Sequence, residues 1–291
     1  MTGAEMVPVA KVAASIAKKA VSDKDDKQKL QELAIKSPNM EAAAESYARR
    51  VAVKEAVLLK VYQPLARFLG VTRNYFDTEF HSDMAQKVAD IPEEYLTTPS
   101  PSVAIPAMQG LGYSVDEPEL KEMYLNLLAT ATDDRVKEAA HPSFAEIIKQ
   151  LSPGEANLLL ESLRQGSMAV GRLMRKAESG EGGTLATEHI IQLVESETGL
   201  PAEELSIAVW IDNWIRLGLV EVDYSRAFVA LARYDYIEKR PEFARLAESD
   251  ARGKESLTVE KGILRSTNFG SRFLEAVSFD GVPVPGLPVM E

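Results

Sequence analysis

Residues Asp116–Leu163, DEPELKEMYLNLLATATDDRVKEAAHPSFAEIIKQLSPGEANLLLESL, decide the fold. Leu120, Met123, Tyr124, Leu127 and Leu128 fall at i, i+3, i+4, i+7 and i+8, the spacing of one face of an α-helix. Phe144, Ile147, Ile148 and Leu151 repeat that pattern, as do Ala156, Leu159, Leu160 and Leu163. Each stripe has its own start signal. Asp116 with Glu119 has the form of a capping box, with Pro118 in the first turn. His141-Pro142-Ser143-Phe144 opens the middle helix, and Ser152-Pro153-x-Glu155 is the Ser-x-x-Glu box with proline at the first helical position. Three short helices, each apolar on one side, must pack on one another or on a neighbouring helix.

Upstream, residues 40–69 are strongly helical. Between Val51 and Leu69 they are apolar on nearly every side, which predicts a buried central helix kinked near Gln63 by Pro64. Tyr47, Tyr62 and Phe68 are expected in the core. A further helix is expected over Asp83–Ile91. Pro92, Pro99, Pro101 and Pro106 then restrict the chain to a short helix near Val103–Leu111, left through Gly110 and Gly112. Before all of this, Val9, Val12, Ala13, Ile16 and Ala20 form a modest amphipathic stripe expected to dock on its own domain. The mixed charges of SDKDDKQKLQEL suit a solvated segment.

Downstream, GSMAVGRLMRKAESGEGG is rich in glycine and small residues, Gly180, Glu181, Gly182 and Gly183 read as an exposed linker, and a domain boundary is expected near residue 183. The remainder predicts a helix over Thr187–Glu197 closed by Gly199, and a second helix from Pro201 burying Leu205, Ala208, Ile211, Trp214 and Ile215. A strand follows at Leu217–Val222, then a strand near Gly262–Leu264 and a closing helix from Thr267. That order is similar to the wing half of winged-helix proteins, apart from a long insertion over Tyr234–Leu257. The expected fold is mainly α: an N-terminal helical bundle-like domain followed by a smaller α+β winged-helix-like module. The divisions are residues 1–39 (amphipathic helix and polar linker), 40–183 (all-helical), 184–280 (winged-helix-like) and 281–291 (Pro-rich tail).

With 291 residues and 45% hydrophobic content the chain can bury a substantial core. Its net charge of −11 disfavours non-specific attraction to nucleic acid or anionic membranes. Residues 185–280 carry 17 acidic against 11 basic residues, and the helix from Pro201 to Leu217 offers only Arg216 as a base. Duplex recognition needs cations facing phosphates, so nucleic acid is not an expected partner. No cysteine is available for a disulfide, thiolate site or nucleophile, in keeping with a cytoplasmic location. The apolar run at residues 51–71 carries Lys54, Glu55, Lys60 and Arg67 and is a poor spanning segment, so stable membrane insertion is not expected.

The chemistry-bearing residues are few. His81-x-Asp83 lacks a nearby third ligand, His141 is placed to pack or cap, and His189 reads as an exposed residue of an acidic helix. Acidic pairs such as Glu93-Glu94, Asp133-Asp134 and Glu203-Glu204 are sequence neighbours, which point to different sides of a helix. There is no G-x-S-x-G elbow, Walker loop or dinucleotide fingerprint. Neither catalytic residue, cofactor nor metal is predicted.

One resemblance emerges from the opening stretch. Pro118-Glu119-Leu120, Leu125, Leu127, Leu128, Ala129, His141-Pro142-Ser143-Phe144, Ile147 and Leu151-Ser152-Pro153 resemble the abortive-infection alpha (Abi-alpha) family of bacterial proteins. Gly262, Leu264, Thr267, Gly270 and Phe273 resemble its C-terminal end. The resemblance implies a role in defence against phage and brings no catalytic residues with it. The residues that carry it, chiefly Pro118, Leu120, Leu127, Leu128, His141, Pro142, Phe144, Leu151, Pro153, Thr267, Gly270 and Phe273, are expected to serve structure. The function expected is a non-enzymatic interaction component with a protein partner, and self-association is compatible with it. The alternatives are a winged-helix transcriptional or DNA-associated regulator, and a membrane-active effector working through the N-terminal helix.

Overall fold

The computed structural model of the chain describes residue 62 and residues 73–177, 183–195, 198–250 and 255–278. The amphipathic helix, residues 40–61, residues 63–72 and the tail from 279 lie outside them. The chain divides into two compact units, Met1–Thr98 and Pro99–Glu291.

In the first unit, α1 (Arg73–Thr78) and α2 (Phe80–Lys87) are followed by a 3-10 turn at Glu93–Tyr95. The buried Tyr62 ring meets Phe80 edge-on at 5.5 Å, and Phe80 lies 5.1 Å from Phe76. Tyr62 is thus a core residue, as expected. Helix α2 starts three residues earlier than predicted. The Tyr75 hydroxyl donates to Asp83 Oδ2 at 2.7 Å, so this carboxylate answers a phenol rather than His81.

In the second unit, α3 (Pro101–Tyr113) contains Pro106, which was expected to confine the helix. Burial of Val103, Ala104, Ala107, Met108 and Leu111 outweighs the single ladder bond that a proline removes. Gly110 does not end this helix. A Cβ there would lie 2.2 Å from the Tyr124 ring, so glycine lets α3 approach α4 (Pro118–Thr132). From Met123 to Thr132 every residue of α4 is buried, which makes α4 the central helix of this unit. Its N-cap is Glu117, without a side-chain bond, so the Asp116–Glu119 box does not form. The box at α6 (Pro153–Gln165) does form, and the Ser152 amide donates to Glu155 Oε1 at 2.7 Å. Helix α5 (Phe144–Ile148) lies between them with Phe144, Ile147 and Ile148 buried.

Gly166, at φ 69°, turns α6 into β1 (Ser167–Ala177). The sheet continues through β2 (Gly183–Ile190), β3 (Val220–Asp223) and β4 (Glu255–Ser266), in the order β2-β1-β4-β3 with antiparallel neighbours. Residues 167–177 of the glycine-rich stretch are therefore a strand, Gly183 opens the strand paired with it through Lys176, and residues 180–182 of the expected linker lie outside the described residues. The helix predicted over Thr187–Glu197 is replaced by β2 and an isolated bridge between Val194 and Pro201. Thr184, Thr187, Ile190, Ile191 and Val194 are β-branched and favour the pleated surface.

Helix α7 (Ile207–Arg216) buries Ile211 and Trp214 as expected, whereas Leu205 is 81% exposed and Ile215 is also exposed. Gly218, at φ 73°, turns it into β3. Residues 224–250, including α8 (Pro241–Asp250), fold back over the sheet. Tyr234 Oη donates to Gly262 O at 2.9 Å, and Tyr236 Oη lies 3.0 Å from Ala169 O and 2.8 Å from Ile190 O. Ile237 joins Leu173, Ile190 and Tyr234 in a buried cluster. The last helix, α9 (Asn268–Val277), packs on α4, where Asn126 Nδ2 and Thr130 Oγ1 donate to Val277 O and Ala276 O, each at 2.9 Å. Helices predominate among the described residues, and the sheet is entirely antiparallel. None of the described helices is long and apolar enough to cross a membrane.

Candidate functional site

The pairing of β1 with β2 breaks register between Gly171↔Ile190 and Leu173↔Thr187. Arg172 therefore stands opposite two residues, Glu188 and His189, which is a β-bulge. His189 adopts φ 57°, the left-handed region that few residues other than glycine occupy. Its ring is buried, contrary to the exposed helical position predicted for it.

Asp212 and Tyr224 meet this ring, and Arg172, Glu260 and Gly262 surround Tyr224. Asp212 of α7 places Oδ1 3.2 Å from His189 Nε2, and the Asp212 side chain is 62% exposed. Tyr224, just after β3, stacks on the imidazole with centroids 6.1 Å apart. The Tyr224 hydroxyl accepts from the His189 amide at 3.1 Å and lies 3.2 Å from His189 Nδ1. It also faces Gly171 O at 3.4 Å. Burial pushes the Tyr224 phenol up to about 12, so the hydroxyl keeps its proton at neutral pH. The Arg172 guanidinium lies 4.4 Å from the Tyr224 ring centroid and pairs with Glu260 of β4 at 2.8 Å. A Cβ on Gly262 would sit 2.7 Å from Tyr224, so glycine in β4 makes room for the tyrosine.

Two tautomers of the neutral ring fit the contacts at Nδ1, and only the first also makes a hydrogen bond at Nε2. In one, Tyr224 donates to Nδ1 and Nε2–H donates to Asp212. In the other, Nδ1–H donates to Tyr224, the phenol proton goes to Gly171 O, and Nε2 presents a lone pair towards Asp212. The second leaves an imidazole nitrogen and a carboxylate facing each other, the arrangement of two ligands of one cation. Glu188 completes a group whose ligand atoms all lie within 4.8 Å of one another.

A second feature is the open cleft between the α5–α6 link and α7, lined by Gln150, Glu155, Trp210, Asn213 and Arg216. Arg216 Nη2 donates to Gln150 Oε1 at 3.0 Å and Asn213 Oδ1 at 2.6 Å. Asn213 Nδ2 reaches Gln150 O at 3.0 Å and Glu155 Oε1 at 3.3 Å.

The predicted motif residues gather elsewhere. Leu120, Leu127, Leu128, Phe144, Leu151 and Phe273 are buried, and Pro118 and Pro153 occupy first turns of helices. The His141 ring lies 5.6 Å from Phe144 and 6.0 Å from Phe269, and Phe144 meets Phe273 edge-on at 5.3 Å. His141 Nδ1 accepts from the Ser143 amide at 3.2 Å at the start of α5, while Pro142 is exposed beside it. Thr267 accepts from the Gly270 amide at 2.8 Å and donates to Gly218 O at 2.6 Å. The two halves of the motif, far apart in sequence, thus form one aromatic packing unit. His189, Asp212 and Tyr224, by contrast, carry no periodic signal. Only the sequence of turns and strands around them reveals their meeting.

The family model described as "Abortive infection alpha" matches residues 72–277. Among solved structures, the chain is similar to an uncharacterized protein from the hydrocarbon-degrading marine bacterium Alcanivorax borkumensis SK2. That likeness has 18% identity and a TM-score of 0.31, and covers 46% of this chain and 92% of the other. No curated protein matches the chain.

Proposed function

Because the chain belongs to the abortive infection alpha family, we propose that it is a non-enzymatic protein-interaction component of bacterial anti-phage defence, acting in the cytoplasm with a protein partner. The observation that carries this reading is the family match over residues 72–277, which takes in every element from α1 to α9. The motif residues support it, because they fill a core and cap helices rather than converge on a cleft. Exposed Leu200, Leu205 and Val209, at and before the outer face of α7, offer apolar area of the kind a protein partner covers. In this reading the helix-and-sheet half is a protein-binding counterpart of a winged helix. Engagement of Arg216 with Gln150 and Asn213 speaks for protein rather than DNA at α7.

Expression of the chain in a susceptible bacterium is expected to lower plaque counts for at least some members of a broad phage panel. Unchanged counts across the panel would overturn the defence reading. Leu205→Asp and Val209→Asp, on the exposed apolar face, are expected to abolish protection without changing the melting temperature. Full protection from both variants would overturn the partner-binding part. Binding to duplex DNA at low salt that Arg216→Ala abolishes would put the DNA-associated regulator in its place.

A further inference from the structure

Among the described residues, imidazole and carboxylates converge at one group, Glu188, His189 and Asp212. We propose that these three side chains bind a divalent first-row transition ion of the zinc or manganese type, through His189 Nε2 and one oxygen from each carboxylate. Adjacent residues of a strand point to opposite faces, so Glu188 and His189 cannot ordinarily share a ligand. The bulge opposite Arg172 and the φ of 57° at His189 bring them to one side. Asp212 arrives from α7 with Oδ1 already 3.2 Å from Nε2. Bonds of about 2.0–2.2 Å to the ion require only small carboxylate rotations to close a group 4.8 Å across.

The surroundings suit a ligand. The His189 ring is buried, and its Nδ1 faces the Tyr224 hydroxyl at 3.2 Å. With Nδ1–H donating there and the phenol proton directed to Gly171 O, Nε2 is left as a lone pair facing the Asp212 carboxylate. Metal-bound histidines are held by just such a bond from the second nitrogen. Arg172 is engaged with Glu260 and the Tyr224 ring. One imidazole with two carboxylates is a mixed nitrogen and oxygen set, which suits zinc or manganese better than a soft thiophilic ion. The exposed Asp212 side leaves the remaining positions to water. The site does not depend on the defence reading.

The test is calorimetric titration of the purified full chain with zinc chloride and manganese chloride, paired with thermal melts in each ion. The expected result is saturable binding of one ion per chain and a melting temperature that rises with ion concentration. Asp212→Asn and Glu188→Gln change polar side chains outside the core and are expected to melt normally while losing that binding. Tyr224→Phe, which keeps the ring but removes the hydroxyl's bonds to Nδ1, the His189 amide and Gly171 O, is expected to weaken binding by about 10–100-fold. No saturable heat and no thermal shift with either ion would overturn the proposal. Binding as tight in Asp212→Asn and Glu188→Gln as in the parent would also overturn it.

Discussion

Glu155 serves two elements at once. It closes the capping box of α6 through the Ser152 amide and accepts from Asn213 on α7, and it is buried. Burial pushes its carboxyl above the usual 4.5, against the pull of the bonds from Ser152 and Asn213. The folded chain therefore holds this proton more tightly than the unfolded one. The stability gained from that proton is complete below the unfolded value and is lost as pH rises through the folded value. Glu155→Gln keeps an oxygen for both donors and removes the charge. Its stability relative to the parent, from urea melts, is expected to increase between about pH 4 and 7. A difference that falls over that range would mean that the hydrogen bonds outweigh burial. Glu155→Ala strands the Ser152 amide, while Asn213 Nδ2 keeps Gln150 O, and is expected to cost about 1–3 kcal/mol. The role of Glu155 was legible in the Ser-x-x-Glu spacing because capping is local. The setting of His189 was not, since its partners Asp212 and Tyr224 come from elements that only the tertiary fold assembles.

At the scale of elements, α9 shows how a helix can be specified by what it must approach. A Cβ on Gly270 would lie 2.0 Å from Leu219 O, a backbone atom that cannot rotate aside. Alanine is the better helix former by about 1 kcal/mol, yet overpacking costs about 1–3 kcal/mol. Gly270→Ala is therefore expected to lower the melting temperature, whereas propensity alone would raise it. A melt at or above the parent's would show that α9 can slide away from β3. The start of this helix was readable from Thr267 and Gly270, as the stripes of α4, α5 and α6 were from their leucines and isoleucines. β1 was not. Its pleat is masked by Ala169 and Gly171, small because Ile237 and Tyr236 press on that part of the strand. A Cβ on Gly171 would come 2.3 Å from Ile237, so the glycine that looks like linker sequence is a packing device. The second strand is hidden with it, because only the β-branched residues of β2 mark it as a strand rather than a helix.

For the molecule as a whole, the question is whether residues up to 183 can fold without those that follow. Strand β1 pairs with β4 along its full length, from Ser167↔Arg265 to Ala177↔Glu255. Helix α4 places Asn126 and Thr130 against carbonyls that belong to α9. A chain ending at 183 would lose the inner partner of β1 and both acceptors. It would also expose the faces of Phe144 and Leu163 that meet Phe273 and Gly270. Each stranded buried donor alone costs about 1–3 kcal/mol, a large share of the ~5–15 kcal/mol that holds a domain together. Fragments 99–183 and 99–278 should therefore behave differently. The longer is expected to show one cooperative thermal transition and dispersed amide resonances, and the shorter neither. A well-dispersed spectrum from 99–183 would establish an independent helical domain and place the boundary where the glycines suggested. Its absence would mean that the end of this chain is built into the core begun by α3 and α4, so that lesions near residue 270 and near residue 125 disable the same folding unit.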